Sequence, residues 1–183
     1  MRVIAGKFKS RQLKSVDSSL TRPTTDKNKE NLFNMIGPYF QGGVCLDLFG
    51  GSGGLGIEAV SRGIEELYSV DKQYKAFLTI KENVKTLKIE ENAHVYKMDY
   101  QKALEQFAKE KIKFDLVFLD PPYSMKINQN ILLYMVENRM LNDDCLIVIE
   151  DLNEEVFEIK SPFVLKKQQS YGITTLQIIK YKE

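Results

Sequence analysis

A doubly wound, mainly parallel α/β sheet with an antiparallel C-terminal edge is the fold class this sequence predicts. Three observations predict it. Short apolar runs alternate along the chain with stretches whose apolar residues recur every three or four positions. The first such run, residues 44–49, leads into a glycine-rich turn, Gly50-Gly51-Ser52-Gly53-Gly54, and then into Leu55-Gly56-Ile57-Glu58-Ala59-Val60, which reads as the start of a helix. Four acids, Asp47, Asp71, Asp99 and Asp120, stand at the carboxyl ends of successive strand-like runs, where open α/β sheets bind their ligands.

Taken in order, residues 2–13 read as a small β-hairpin. Val3, Ile4 and Phe8 supply strand propensity, and Gly6 allows a bulge or turn. Residues 1–20 are therefore set apart as a basic extension, and residues 21–183 as the domain proper. Pro23 biases Arg22 towards extended backbone, and Thr24 or Thr25 caps a helix with Asp26 in its first turn. That helix carries Leu32, Phe33, Met35 and Ile36 and ends at Gly37-Pro38. After the first strand and helix, residues 67–71 form a second strand. Phe77, Ile80, Val84 and Leu87 then mark an amphipathic helix. Residues 93–98 are a third strand, followed by a helix over about 100–110. Residues 114–119 are a fourth, nearly all apolar, hence buried on both faces. A helix over 128–140 and a fifth strand over 145–149 follow. The tail, 156–165 and 172–181, alternates enough for an antiparallel pair.

With 183 residues, 43% of them hydrophobic and 28% charged, the chain reads as one globular domain. Cys45 and Cys145 sit in apolar runs and read as buried hydrophobes in a reducing compartment. With one histidine, His94, there is no Cys/His zinc spacing, and no metal is expected. No long apolar stretch marks a leader or a membrane span, so the expected location is cytoplasmic. The net charge of +1 is unevenly spread. Residues 1–29 hold eight basic side chains against two acids, a local balance of +6 that leaves −5 for the remainder. A basic arm on a mildly acidic body is the footprint of a nucleic-acid contact, with Lys7, Lys9 and Arg11 as its candidate RNA-binding residues.

Gly51, Gly53 and Gly56 meet the G-x-G-x-x-G spacing of a dinucleotide loop, and Asp71 lies at the distance of a ribose-binding acid. The glycines alone leave NAD(P) and S-adenosylmethionine open. Asp47 favours the latter, because a carboxylate beside the loop opposes a pyrophosphate and suits a ligand with an ammonium and a sulfonium. The expected cofactor residues are Asp47, Gly50, Gly51, Gly53, Asp71 and Asp99.

Asp120-Pro121-Pro122-Tyr123 is the most specific signal. The two prolines fix a rigid turn and remove two backbone donors, so carbonyls face the cleft. Asp120 adds an acceptor and Tyr123 a flat stacking surface. The set suits an exocyclic amine on a flat base: its two N–H bonds are accepted by the Asp120 carboxylate and the Pro121 carbonyl, which localises the lone pair.

With the glycine loop of the first strand, this motif resembles the S-adenosylmethionine-dependent amino methyltransferases, whose sheet is Rossmann-like. Residues 2–7, Arg22-Pro23-Thr24-Thr25-Asp26, Glu30-Asn31-Leu32-Phe33 and 47–56 narrow the resemblance to the RsmD-type small-subunit ribosomal RNA guanine-N2 methyltransferases. The resemblance covers nearly the whole chain. It implies a guanine N2 in 16S rRNA as target, within an assembled small subunit; a monomer is expected. It also places Arg22, Pro23 and Thr24 beside the methionine part of the cofactor. Phe49-Gly50-Gly51 departs from the family, where an alanine is expected at position 50 or 51. Three other readings compete. An adenine-N6 DNA methyltransferase shares Asp-Pro-Pro-Tyr but needs extra structure to flip a base from duplex DNA. An NAD-dependent oxidoreductase leaves Asp47 and residues 120–123 without a use. An RNA-binding module without catalysis has no use for the acidic cleft.

Overall fold

The computed structural model describes residues 1–16, 24–122 and 127–183. Its elements run α1 (Asp26–Ile36), β1 (Val44–Asp47), α2 (Gly54–Ser61), β2 (Glu66–Asp71), α3 (Tyr74–Thr86), β3 (Ala93–Lys97), α4 (Tyr100–Lys109), β4 (Phe114–Leu119), α5 (Asn128–Glu137), β5 (Leu141–Leu152), β6 (Phe163–Tyr171) and β7 (Thr174–Tyr181). One seven-stranded sheet has the order β3-β2-β1-β4-β5-β7-β6. β1 pairs in parallel with β2 on one side and β4 on the other, so the order reverses at β1. β7 runs antiparallel to both β5 and β6. The expected doubly wound class with its antiparallel edge is the observed one.

Helices cover both faces because the strands are apolar on both. One core layer joins Leu32, Phe33 and Ile36 of α1, Ile57 of α2 and Ile80 and Val84 of α3 to Cys45, Leu67, Phe118 and Val148 of the sheet. The other joins Leu104 and Phe107 of α4 and Ile131 and Met135 of α5 to Leu46, Val117, Leu119, Ile147 and Ile149. Side chains two apart on a strand share a face. Asp47 therefore lies on the face of Cys45, under α1 to α3.

Several local expectations are corrected. Residues 2–13 do not form a β-hairpin: a single bridge, Arg2 to Gln12, closes a loop. The Val3, Ser10 and Leu13 amides still donate across the loop, to Arg11 O, Val3 O and Met1 O, but the Ile4, Ala5, Lys7 and Phe8 amides turn to α2. Ile4 and Ala5 N–H donate to the Glu58 carboxylate at 2.8 and 3.1 Å, Lys7 N–H to Ser61 O at 2.8 Å and Phe8 N–H to Ser61 Oγ at 2.9 Å. Val3 and Leu13 are buried in the core and anchor this loop to the sheet. β1 stops at Asp47, because Gly50 N–H already reaches Val70 O at 2.8 Å and turns the chain. α5 stops at Glu137, where Asn138 donates its side-chain amide to Tyr134 O and Arg139 takes a left-handed φ of 54°. β5 is much longer than the apolar run 145–149, because its polar ends also pair, at Leu141 with β4 and at Glu150, Asp151 and Leu152 with β7. The tail's first strand is Phe163–Tyr171, not 156–165. It is an edge strand whose residues Val164–Ser170 are exposed, so no apolar alternation marks it.

Candidate active site

The glycine turn after β1 is shaped by packing on one side and left open on the other. A Cβ on Gly50 would sit 2.7 Å from Ser69 Oγ, and one on Gly56 2.8 Å from Leu67 Cδ1, so these two let α2 close on the sheet. Gly51, at φ +60°, has nothing within 4 Å of the corresponding position. That combination is a left-handed turn facing space, where a ligand can approach the backbone.

Two acids frame the turn. Asp71, the last residue of β2, accepts from Gly51 N–H on Oδ2 at 3.0 Å and from Gln73 N–H on Oδ1 at 2.8 Å. Burial raises its pKa, with the Gln73 and Gly51 amides opposing. Each oxygen keeps a further lone pair for an outside donor. Asp47, the last residue of β1, is 3% exposed, and its Oδ2 has no hydrogen-bond partner. Burial pushes its carboxyl up to about 7, the Gly56 amide opposing and the Asp71 charge adding to the rise. A buried carboxylate with one oxygen unpartnered, beside an open glycine turn, fits a ligand with a cationic end, as S-adenosylmethionine has, and not a pyrophosphate.

Asp99 follows β3 and caps α4, accepting from Gln101 N–H at 2.9 Å on one oxygen. This is the ordinary work of an acid at a helix start, and the other oxygen takes no part in it. Asp120 follows β4 directly. It is open to solvent and Pro121 is buried, while Pro122 is exposed. The Asp120 carboxyl is raised by desolvation first, then by the charges of Glu150, Asp47 and Asp151; its solvent access tempers both effects. Leu46 stands in register with Val117 and Asp47 with Phe118, so Asp120 emerges two residues beyond Asp47's partner and on its face. Asp47, Asp71 and Asp120 thus converge on one side of the sheet at the switch point. Arg22, Pro23 and Tyr123 lie outside the described residues. Thr24 is half-buried just ahead of Thr25, which caps α1 by accepting from Asn28 N–H at 3.2 Å. The Arg2–Asp26 ion pair at 2.8 Å and the contact of Ser52 Oγ with Met1 Sδ at 3.6 Å hold this end of α1 near the glycine turn.

Lys7, Lys9 and Arg11 are exposed, but they stand away from this cleft. Lys7 is tied to Ser61 at the far end of α2, about 12 Å along an eight-residue helix. Arg11 donates to Thr86 O at 3.3 Å, at the end of α3. Exposed Lys85 and Lys88 flank Thr86 and extend the basic patch; sequence reasoning missed them because only the fold brings α3 beside the arm. A hollow of about 170 Å³, lined by Lys7, Phe8, Val60, Ile64 and Ile89 among others, lies beneath the arm and not at the cleft. His94 is half-buried, with Nε2 2.6 Å from Glu66 Oε2 and its ring against Tyr68. Among the described residues no group of three or more His, Cys, Asp or Glu side chains is placed to hold a metal ion. No helix among them is long and apolar enough to cross a membrane.

Sequence reasoning also missed Glu58. It is fully buried with Lys29 and Arg62, and joins the arm, α1 and α2. Its signal was an acid inside the apolar run 55–60.

The chain matches the family Conserved hypothetical protein 95 over residues 1–180. YlbH of Bacillus subtilis (strain 168), provisionally named an rRNA methyltransferase, is 49% identical over 181 residues, covering 98% of each chain. Ribosomal RNA small subunit methyltransferase D of Haemophilus influenzae is 33% identical over 179 residues, covering 97% of this chain and 92% of that one. Among solved structures, yhhF of Escherichia coli, provisionally named a methyltransferase, superposes with a TM-score of 0.88 at 28% identity, covering 100% of this chain and 98% of that one.

Proposed function

The chain belongs to the Conserved hypothetical protein 95 family, in company with RsmD-type ribosomal RNA methyltransferases, and we propose that it transfers a methyl group from S-adenosylmethionine to the exocyclic N2 amine of a guanine in 16S rRNA. The observation that carries this reading is the placement of Asp120 and Pro121 beside Asp47 and the open glycine turn, on one face at the strand ends. The assembled small subunit is the substrate in this reading. The enzyme acts as a cytoplasmic monomer, with residues 1–20 as its docking arm and residues 21–183 as the catalytic domain. The test is labelled methyl transfer to small subunits from a strain lacking the gene, followed by mapping of the modified base. Label on an adenine, or in DNA only, would overturn it.

Asp47, Asp71, Asp99 and the backbone at Gly50, Gly51 and Gly53 would hold the cofactor, with Arg22, Pro23 and Thr24 closing over its methionine end. Bound there, it supplies a methyl group made electrophilic by a sulfonium. The chain's own contribution is to the acceptor. Asp120 and the Pro121 carbonyl accept the two N–H bonds of the amine, which aims its lone pair, and Tyr123 stacks on the base. The amine gains the methyl carbon and sheds one proton, to Asp120 or to solvent.

Asp71→Ala should weaken S-adenosylmethionine binding by at least tenfold. Two hydrogen bonds to a carboxylate contribute roughly 1.5–3 kcal/mol each, and the variant also releases the Gly51 amide that Asp71 holds. Unchanged affinity by calorimetry would remove Asp71 from the cofactor site.

The arm, in this reading, grips RNA at a distance from the target base. Neutralising Lys7, Lys9 and Arg11 together should leave cofactor binding intact. It should lower RNA affinity and flatten its salt dependence by about 0.7–0.9 in logarithmic slope for each phosphate that the arm no longer neutralises. An unaltered slope, measured by titration at several salt concentrations, would make the arm structural only.

A further inference from the structure

Asp120 follows β4, and Glu150 lies within the neighbouring strand β5, one residue beyond its apolar run. β4 and β5 are parallel with Leu119 opposite Ile149, so Asp120 and Glu150 each come one residue after that pair, on strands about 4.8 Å apart. Phe118 and Val148, two residues earlier, both pack in the layer under α1 to α3. Asp120 and Glu150 therefore project to that same face. Glu150 is half-buried, and among the described residues neither carboxylate has an ion pair. Burial raises the Glu150 carboxyl, Thr174 opposing and Asp151 adding to the rise. A second observation points the same way. Asp47, on this face and 3% exposed, keeps an oxygen with no donor. Three neighbouring strands thus present acceptors in excess on this face, with no ion pair to either Asp120 or Glu150 among the described residues. Such a surface suits a ligand that brings several N–H donors on one edge.

Guanine has that edge: its ring N1–H lies next to its N2 amine. Adenine sets a ring acceptor, N1, next to its amine. Resting on the guanine-N2 reading above, we propose that Glu150 accepts the ring N1–H of the target guanine while Asp120 accepts from the amine, so that Glu150 sets the choice of guanine over adenine-like bases. Facing a carboxylate, an unprotonated N1 loses a hydrogen bond and leaves two acceptors opposed, which a site built for N–H rejects strongly.

The test uses small subunits reconstituted with either guanine or 2-aminopurine at the mapped position. The second base keeps the N2 amine but carries an acceptor at N1. Wild-type enzyme should prefer guanine in kcat/KM. Glu150→Gln can donate an amide N–H to that acceptor, so it should reduce the preference by at least tenfold and raise methylation of the 2-aminopurine subunits. That gain is one a misfolded variant would not produce. Glu150→Ala should lower methylation of guanine without the gain. Equal effects of Glu150→Gln on both bases, with wild type still methylating guanine, would overturn the role of Glu150 and leave the guanine-N2 reading standing. Failure of wild type to methylate guanine N2 would overturn both.

Discussion

Asp120→Ala should keep most of the affinity for S-adenosylmethionine and lose methyl transfer by about 100-fold or more, the scale seen when one preorganised polar group is removed from an active site. The reason is positional. Asp71 and the glycine turn lie on β2 and β1, whereas Asp120 follows β4, on the other side of the switch point. Asp120→Asn separates two versions of the chemistry. Its amide oxygen still accepts a hydrogen bond, but the side chain cannot take a proton or carry charge. Activity well above that of the alanine variant would mean that alignment dominates and water removes the proton. Activity as low would mean that the charge matters. The pH profile adds a signed check. Desolvation, Glu150, Asp47 and Asp151 raise the Asp120 carboxyl, so the acceptor form is gained as pH rises, over a range above the usual carboxylate value of about 4. Wild-type kcat should climb through that range, and Asp120→Asn should lose the climb. Full activity in Asp120→Ala, measured with labelled cofactor, would remove this residue from the mechanism.

The largest effect on stability should come from Glu58→Ala. Glu58 Oε1 lies 3.5 Å from Lys29 Nζ and Oε2 lies 3.0 Å from Arg62 Nε. Both cations are buried, and Arg62 packs over the Phe33 ring. Burial lowers the Lys29 pKa, and Glu58 is the main influence opposing that. The same carboxylate accepts the Ile4 and Ala5 amides. Its loss strands two buried charges and two backbone donors, and breaking a buried pair on this pattern costs about 3–5 kcal/mol. The midpoint of urea unfolding should fall accordingly. Hydrogen exchange at Ile4 and Ala5 should rise more than at the sheet core, because the arm detaches before the sheet opens. A loss under about 1 kcal/mol, within the range of exposed pairs, would mean the arm is held by Val3 and Leu13 alone. RNA binding should weaken in step with arm detachment, which links this buried cluster to the proposed docking surface.

Strand and helix types were readable wherever one side of an element is buried. Phe77, Ile80, Val84 and Leu87 announce α3, and the apolar run 114–119 announces β4. Legibility failed where neighbours decided. β6 is polar along nearly its whole length because it is the sheet's edge, and its strand state comes from pairing with β7. The arm's strand propensity suggested a hairpin, yet its Ile4, Ala5 and Phe8 amides found Glu58 and Ser61 on α2, partners more than fifty residues away. Glu150 follows β5's apolar run as the four singled-out acids follow or end theirs. It escaped notice because nothing local says that β5 lies next to β4.

By itself the sequence determined the α/β class, the glycine turn after β1 and an acid at or just beyond the ends of β1 to β4, since periodicity and turn chemistry act over a few residues. Only the tertiary structure decided which of those acids meet. Strand order and register set Asp47, Asp71, Asp120 and Glu150 on one face and leave Asp99 capping α4. It also carried the basic arm to the far end of α2 and buried Glu58 between two cations. These arrangements depend on contacts between residues distant in sequence, whose energies come from desolvation and sheet pairing, and such contacts leave no local pattern to read.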